Sequence, residues 1–162
     1  MPETNASPTS ASRAIEALGT VLTQIGWNAR KDDETSGLVV DFDPPYIPVA
    51  YAYAAVSADL EVLAFYLNFG VAAAEERRDE TAHFIALVNS HLMVGNFEID
   101  FEDGLVRFRS SVSFQGTELS EALIRNVILS AMNAVERYAE KLIDVMVRGK
   151  SARQAFEETA QT

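Results

Sequence analysis

Two histidines, a run of carboxylates and scattered serines are the residues of this chain that could do chemistry. His83 and His91 stand eight residues apart. On a helix that is about two turns, without the HExxH spacing that brings two imidazoles to one zinc ion. Asp79 precedes His83 by four residues and would share its helix face, which supplies two ligands and no third. Glu98, Asp100, Glu102 and Asp103 cluster oxygen atoms, but a calcium loop needs twelve residues ending in a bidentate glutamate, set between two helices. Arg107 and Arg109 follow closely and the flanks alternate like strands, so ion pairing across a hairpin is the better account of these carboxylates. No serine sits in a GxSxG elbow, and the eight glycines are scattered at element ends rather than gathered in a phosphate-cradling loop. Cysteine is absent, which excludes a disulfide framework, a thiolate metal site and a cysteine nucleophile. The expectation is no catalytic residue, no cofactor and no metal site: a protein that is not an enzyme.

Charge narrows the partners. The chain has 162 residues, 24 of them acidic against 13 basic, for a net charge of −11. Such a surplus repels nucleic acid and anionic lipid. The most membrane-like stretch, Tyr46 to Ala74, is cut by Asp59 and Glu61 into two uncharged runs of 13 residues, shorter than the ~20 a spanning helix needs. The first residues, Met1-Pro2-Glu3-Thr4-Asn5, carry neither the basic nor the apolar region of a secretory signal. A cytoplasmic protein with no nucleic-acid and no membrane partner is expected.

The elements follow from periodicity. Residues 1–11 lack it and read as a disordered tail, leaving 12–160 as a single domain. Ser12 stands as N-cap to a helix built on Ile15, Leu18, Leu22 and Ile25 and stopped by Gly26. A polar cluster over 30–37 separates it from a strand over Leu38–Phe42. Pro44, Pro45 and Pro48 then impose a turn or an edge. Strands follow over Val49–Ala54 and Val62–Phe69, with a possible bulge at Gly70. The charge run Glu75–Glu80 reads as a solvated boundary opening a second helix on Phe84, Ile85, Val88 and Leu92, ended by Gly95. Asp103-Gly104 predicts a two-residue type I′ turn. It would pair Phe101 with Val106, Asp100 with Arg107, Ile99 with Phe108 and Glu98 with Arg109. A long amphipathic helix spans Ser120–Arg148, and Ser151 with Gln154 forms a capping box for a last short turn through Phe156.

Helices segregated from hairpin-linked strands imply an α+β fold with an antiparallel five-stranded sheet, in the order α-β-β-β-α-β-β-α. The segments Ala86-Leu87-Val88-Asn89, Gly95-Asn96-Phe97-Glu98-Ile99-Asp100 and Gly104-Leu105-Val106-Arg107-Phe108-Arg109, with the long helix after them, resemble the YbjN-like bacterial proteins. That resemblance implies a fold similar to the class I type III secretion chaperones, which are small acidic homodimers holding a partner in extended form. It also implies a role in sensory transduction, and it brings no catalytic residues with it.

Two surfaces stand out for partners. The apolar arc of the long helix, which includes Ile124, Ile128, Met132, Ile143 and Met146, is wider than the ~100° that one core needs, so another helix or a second copy must cover it. Opposite Leu63, Phe65 and Leu67, the strand positions Val62, Ala64 and Tyr66, with Tyr51 and Tyr53 beside them, form a second apolar face for which burial under a dimer mate or the long helix is expected. The reading is a protein-interaction or chaperone-like module, a homodimer with an unknown protein partner. The alternative is a small-molecule- or ion-responsive regulator with a pocket between the second helix and the sheet near His91.

Overall fold

The protein is described here as a computed structural model. It covers residues 10–159 apart from 34, 36 and 47, with side chains omitted at 10 and 43–46. The chain runs α1 (Ser10–Gln24), β1 (Arg30–Lys31), β2 (Leu38–Tyr46), β3 (Val49–Ser57), β4 (Val62–Ala72), a 3-10 turn (Glu75–Arg77), α2 (Arg78–Asn89), β5 (Asn96–Ile99), β6 (Leu105–Ser113), α3 (Glu121–Met146) and α4 (Ala152–Thr159). Every strand pair is antiparallel and the sheet order is β1-β2-β3-β4-β6-β5. The sheet therefore has six strands, not five. The extra one, β1, is two exposed polar residues inside the cluster over 30–37, too short and too polar to show a period.

One face of this sheet is the floor of the core. Alternation puts Ala52, Ala54 and Val56 of β3, Leu63, Phe65, Leu67 and Phe69 of β4, and Val106 and Phe108 of β6 on that face, all buried. α3 lies over it, contacting β4 and β6, with α1 and α2 on its flanks and α4 against both α2 and α3. Those three helices cover the wide apolar arc from within the chain. Ile124, Ile128 and Met146, expected on a partner or dimer surface, are 0%, 3% and 1% exposed, and Met132 and Ile143 are partly buried against the same core. The width of the arc thus gives no motive for a second copy. Among the described residues no helix is long and apolar enough to cross a membrane.

Several boundaries moved for identifiable reasons. α1 begins at Ser10, so residues 10 and 11 are helical and Ser12 lies inside the helix; residues 1–9 of the expected tail lie outside the described residues. β2 runs on past Phe42, with its register shifted between Asp41 and Tyr46 where Pro44 and Pro45 interrupt the ladder. The bulge near Gly70 is real: the β4–β6 register shifts between Asn68 and Ala72. α2 stops at Asn89, well before Gly95, because the Asn89 side chain leaves the helix to serve β5. Its Nδ2 donates to the Phe97 carbonyl at 3.0 Å and its Oδ1 accepts from the Phe97 N–H at 2.9 Å. One amide thus satisfies the outward-facing backbone of an edge strand, which would otherwise template pairing with another chain. α4 is capped as expected, with the Gln154 N–H on Ser151 Oγ at 3.3 Å, and it continues to Thr159.

The β5–β6 hairpin differs most from expectation. Its pairs are Ile99 with Val106, Glu98 with Arg107, Phe97 with Phe108 and Asn96 with Arg109. That is a slip of two residues, which preserves which face each side chain takes. The cause is a longer loop. The Asp100 carboxylate accepts from the Glu102 N–H and the Asp103 carboxylate from the Leu105 N–H, both at 2.8 Å, while Gly104 N–H reaches back to the Asp100 carbonyl. These Asx turns hold five residues, Asp100 to Gly104, between the strands and leave Phe101 half exposed. Gly104 sits at φ +77°, and an added Cβ would stand 2.1 Å from the Ala73 carbonyl oxygen.

Gly104→Ala should therefore lose about 2–4 kcal/mol, from left-handed backbone strain together with a backbone clash; an unchanged urea midpoint would contradict this loop. Asn89→Ala should cost about 1–3 kcal/mol, since it strands the Phe97 N–H and leaves the Phe97 carbonyl only the longer contact from Asn96 Nδ2. Faster amide exchange at Phe97 than at Phe108 in that variant is the diagnostic sign.

Candidate functional site

Sheet registers assemble a surface that no single strand announces. On the face turned away from the helices, one row crosses all six strands as Arg30, Val39, Tyr53, Tyr66, Arg109 and Asn96. The next row runs Asp41, Tyr51, Asn68, Arg107 and Glu98. Beyond Tyr53 and Tyr66 the rows turn small, with Ala55, Ala64 and Ser111, then Ser57, Val62 and Ser113. Five of the residues expected at a partner surface, Tyr51, Tyr53, Val62, Ala64 and Tyr66, therefore do share one face. The other five lie on α3, on the opposite side of the sheet. α3 does not cover the tyrosines.

The aromatic rows are held in place from both sides. Tyr53 packs its ring over Gly37, where a Cβ would meet the ring at 2.5 Å, and its hydroxyl lies 2.8 Å from Thr35 Oγ1. Its ring centroid is 6.0 Å from that of Tyr66, and the Arg107 guanidinium carbon stands 5.0 Å over Tyr66, a cation–π contact. Glu98 binds both guanidinium groups, Arg107 Nε at 2.7 Å and Arg109 Nε at 3.0 Å. Arg30 pairs with Asp41 at 2.9 Å. Exposed pairs of this kind contribute only ~0.2–1 kcal/mol each, so their effect is to fix where the donors and rings point. Tyr51 is 41% exposed. Two shallow concavities of about 490 and 560 Å³ meet along Tyr51, Asn68 and Arg107.

A face like this offers flat ring area, phenolic hydroxyls and guanidinium forks together, a combination suited to holding a peptide. Alternation in β6 already sets Arg107 and Arg109 opposite the core. Which strand lies beside β6 is tertiary information, so joining them to the tyrosines of β3 and β4 requires the fold.

The residues weighed for metal chemistry are committed elsewhere. Asp100 and Asp103 close the hairpin loop, Glu98 serves two arginines, and His83 is exposed. Among the described residues no three His, Cys, Asp or Glu side chains are grouped to hold a metal ion. His91 lies 5.0 Å, ring to ring, from Phe156 of α4, while α2 sends Phe84, Ile85 and Val88 into the core.

The YbjN family, described as "Putative bacterial sensory transduction regulator", matches residues 14–144. The chain belongs to that family. Among solved structures, a chain of the ExsC–ExsE complex superposes with a TM-score of 0.62 at 17% identity, over 83% of this chain and 96% of that one. YbjN from E. coli, described as "a putative transcription regulator", superposes with a TM-score of 0.59 at 13% identity, over 78% of this chain and 92% of that one. At such identities the likeness is one of fold, the type III secretion chaperone-like arrangement that the YbjN-like resemblance implies. No curated protein matches in sequence.

Glu98 provides an electrostatic test of the face. Burial pushes its carboxyl up, but hydrogen bonds from Arg107 and Asn96 and the two guanidinium charges outweigh burial and hold it below the usual carboxylate range. A carboxyl lowered in the folded state contributes stability that is complete above its unfolded pKa of about 4.3 and is lost as pH falls through the folded value. Side-chain NMR should place the Glu98 midpoint below about 4.3, and Glu98→Gln should remove its share of acid sensitivity. A midpoint above that figure would mean the arginines do not engage it.

Proposed function

We propose that the chain is a non-catalytic, cytoplasmic protein-binding module of regulatory or chaperone-like type that receives an extended partner segment across the outer face of its sheet. The observation that carries this reading is the double row of tyrosine and arginine beside a smooth strip of alanine, serine and valine. Aromatic rings and guanidinium groups are the side chains that dominate protein interfaces, and small residues let a backbone approach closely. Family membership supports a regulatory role, and the neighbour solved as the ExsC–ExsE complex supports a protein partner. The homodimer belongs to this reading as a second occupancy of the same face, because Ile124, Ile128 and Met146 of α3 are already buried within one copy.

A photo-crosslinking residue placed at Tyr51, Ala64 or Arg109 should trap one and the same polypeptide in native cells, while the same residue at Leu129, on the exposed side of α3, should not. Tyr66→Ala combined with Arg107→Ala should weaken that partner at least about tenfold, the loss of ~1.4 kcal/mol. Adducts at twice 17.8 kDa, matched by light scattering, would assign the face to a second copy. Adducts from Leu129 alone would refute the outer-face assignment.

A further inference from the structure

The helical side of the molecule carries a concavity of a different kind. Where α1 ends and α3 passes beneath it, Val21 and Ile25 from α1 and Ile128, Leu129 and Met132 from α3 wall a cleft of about 310 Å³. Trp27 is part of the same wall. This is the single tryptophan of the chain, and it is not free to swing into the space. Its ring stacks on Phe65 at 6.3 Å and meets Phe42 edge-on at 5.2 Å, and its backbone N–H donates to the Leu22 carbonyl at 2.9 Å. Trp27 is thus fixed in place, and the lip of the cleft is apolar: Ile25 is 36% exposed and Leu129 57%.

One end of the cleft is cationic. Arg125 stands one helical turn before Leu129 and donates to the side-chain oxygen of Gln24. Among the described residues it forms no ion pair, in a chain whose net charge is −11. Asn133 and Glu136 close the far end, with Glu136 about 16 Å further along α3 by helical rise.

We propose that this cleft is a binding site for a small amphiphilic carboxylate, its apolar body between α1 and α3 against Trp27 and its head group on Arg125. The lining is apolar with one charged donor, which is the composition of a small-ligand site, and its volume is at the lower limit of such sites (~300–1,000 Å³). That volume favours a medium chain or an aryl-alkanoate over a long lipid. This inference is independent of the outer-face reading, from which the whole sheet separates it.

Trp27 reports on its own site. Decanoate, titrated below its micelle concentration into the full chain, should give a saturable change in tryptophan emission and a raised melting temperature; decanol should bind more weakly. Arg125→Gln should weaken decanoate about tenfold without altering decanol, and Arg125→Lys should restore most of the loss. Leu129→Asp, at an exposed position, should abolish both responses while leaving the unliganded melting temperature near its original value. The proposal is overturned by an emission change that never saturates, by equal loss of acid and alcohol in Arg125→Gln, or by a response that tracks a doubling of molecular mass.

Discussion

A single sheet with all its large helices on one side has to leave its other side in water. That constraint governs this molecule. α3 lies across β4 and β6, and its residues Ile124, Val127, Ala131, Val135, Tyr138, Leu142 and Val145 are 0–5% exposed. Each large apolar side chain buried in this way contributes roughly 1.5–3 kcal/mol relative to exposure. Sinking that helix into the sheet consumes the apolar face of every central strand. What remains on the other face must be compatible with solvent yet still stabilise the strands. Tyrosine, arginine and alanine satisfy both conditions: rings and long stems cover backbone while hydroxyl and guanidinium groups stay hydrated. The surface available for recognition is thus a by-product of the core's geometry.

The C-terminal helix is attached by polar contacts as much as by packing. Arg77 donates to the Val145 carbonyl at 2.9 and 2.7 Å and to the Lys150 carbonyl at 2.6 Å, closing the carbonyl end of α3. The Glu80 carboxylate accepts from the Ala152 N–H at the start of α4. Asp144 binds Arg148 and Lys150, and Lys150 reaches on to Glu158. The hydrogen bond from Lys150 foremost, and then that from Arg148, hold the Asp144 carboxyl below its usual range against burial. The charge run Glu75–Glu80, which looks like a solvated boundary, therefore joins α2, α3 and α4. Charge-assisted hydrogen bonds to helix ends are worth more than surface ion pairs because they satisfy backbone groups that nothing else reaches.

Local patterns carried their own elements well. The turn at Gly26, the Ser151 cap and the alternation through β3 and β4 all appear where residue types place them. The failures depend on hydrogen bonds and packing partners that the pattern of residue types does not specify. Asn89 ends α2 because Phe97 needs its amide. The hairpin slips by two because Asp100 and Asp103 spend their carboxylates on backbone N–H groups, a competition that Asp-Gly alone does not reveal. Ile124, Ile128 and Met146 look like spare surface until α1, α2 and α4 are folded over them. Arg107 and Arg109 join the tyrosines only through the β4–β6 pairing.

The sheet's edges limit how a partner can bind. β5 ends the sheet on one side, and Asn89 occupies the outward N–H and carbonyl of Phe97. On the other side β1 is only Arg30 and Lys31, and the part of β2 beyond it contains Pro44 and Pro45. Proline cannot donate and lysine resists desolvation, so neither edge readily accepts a further strand. Recognition through added main-chain pairing would tolerate many sequences, since backbone bonds carry little side-chain information. A face closed at both edges must select its partner by side chains. Its specificity then rests on where Tyr51, Tyr53, Tyr66, Arg107 and Arg109 point, and the Glu98 bridge and the Gly37–Tyr53 contact fix those directions before any partner arrives.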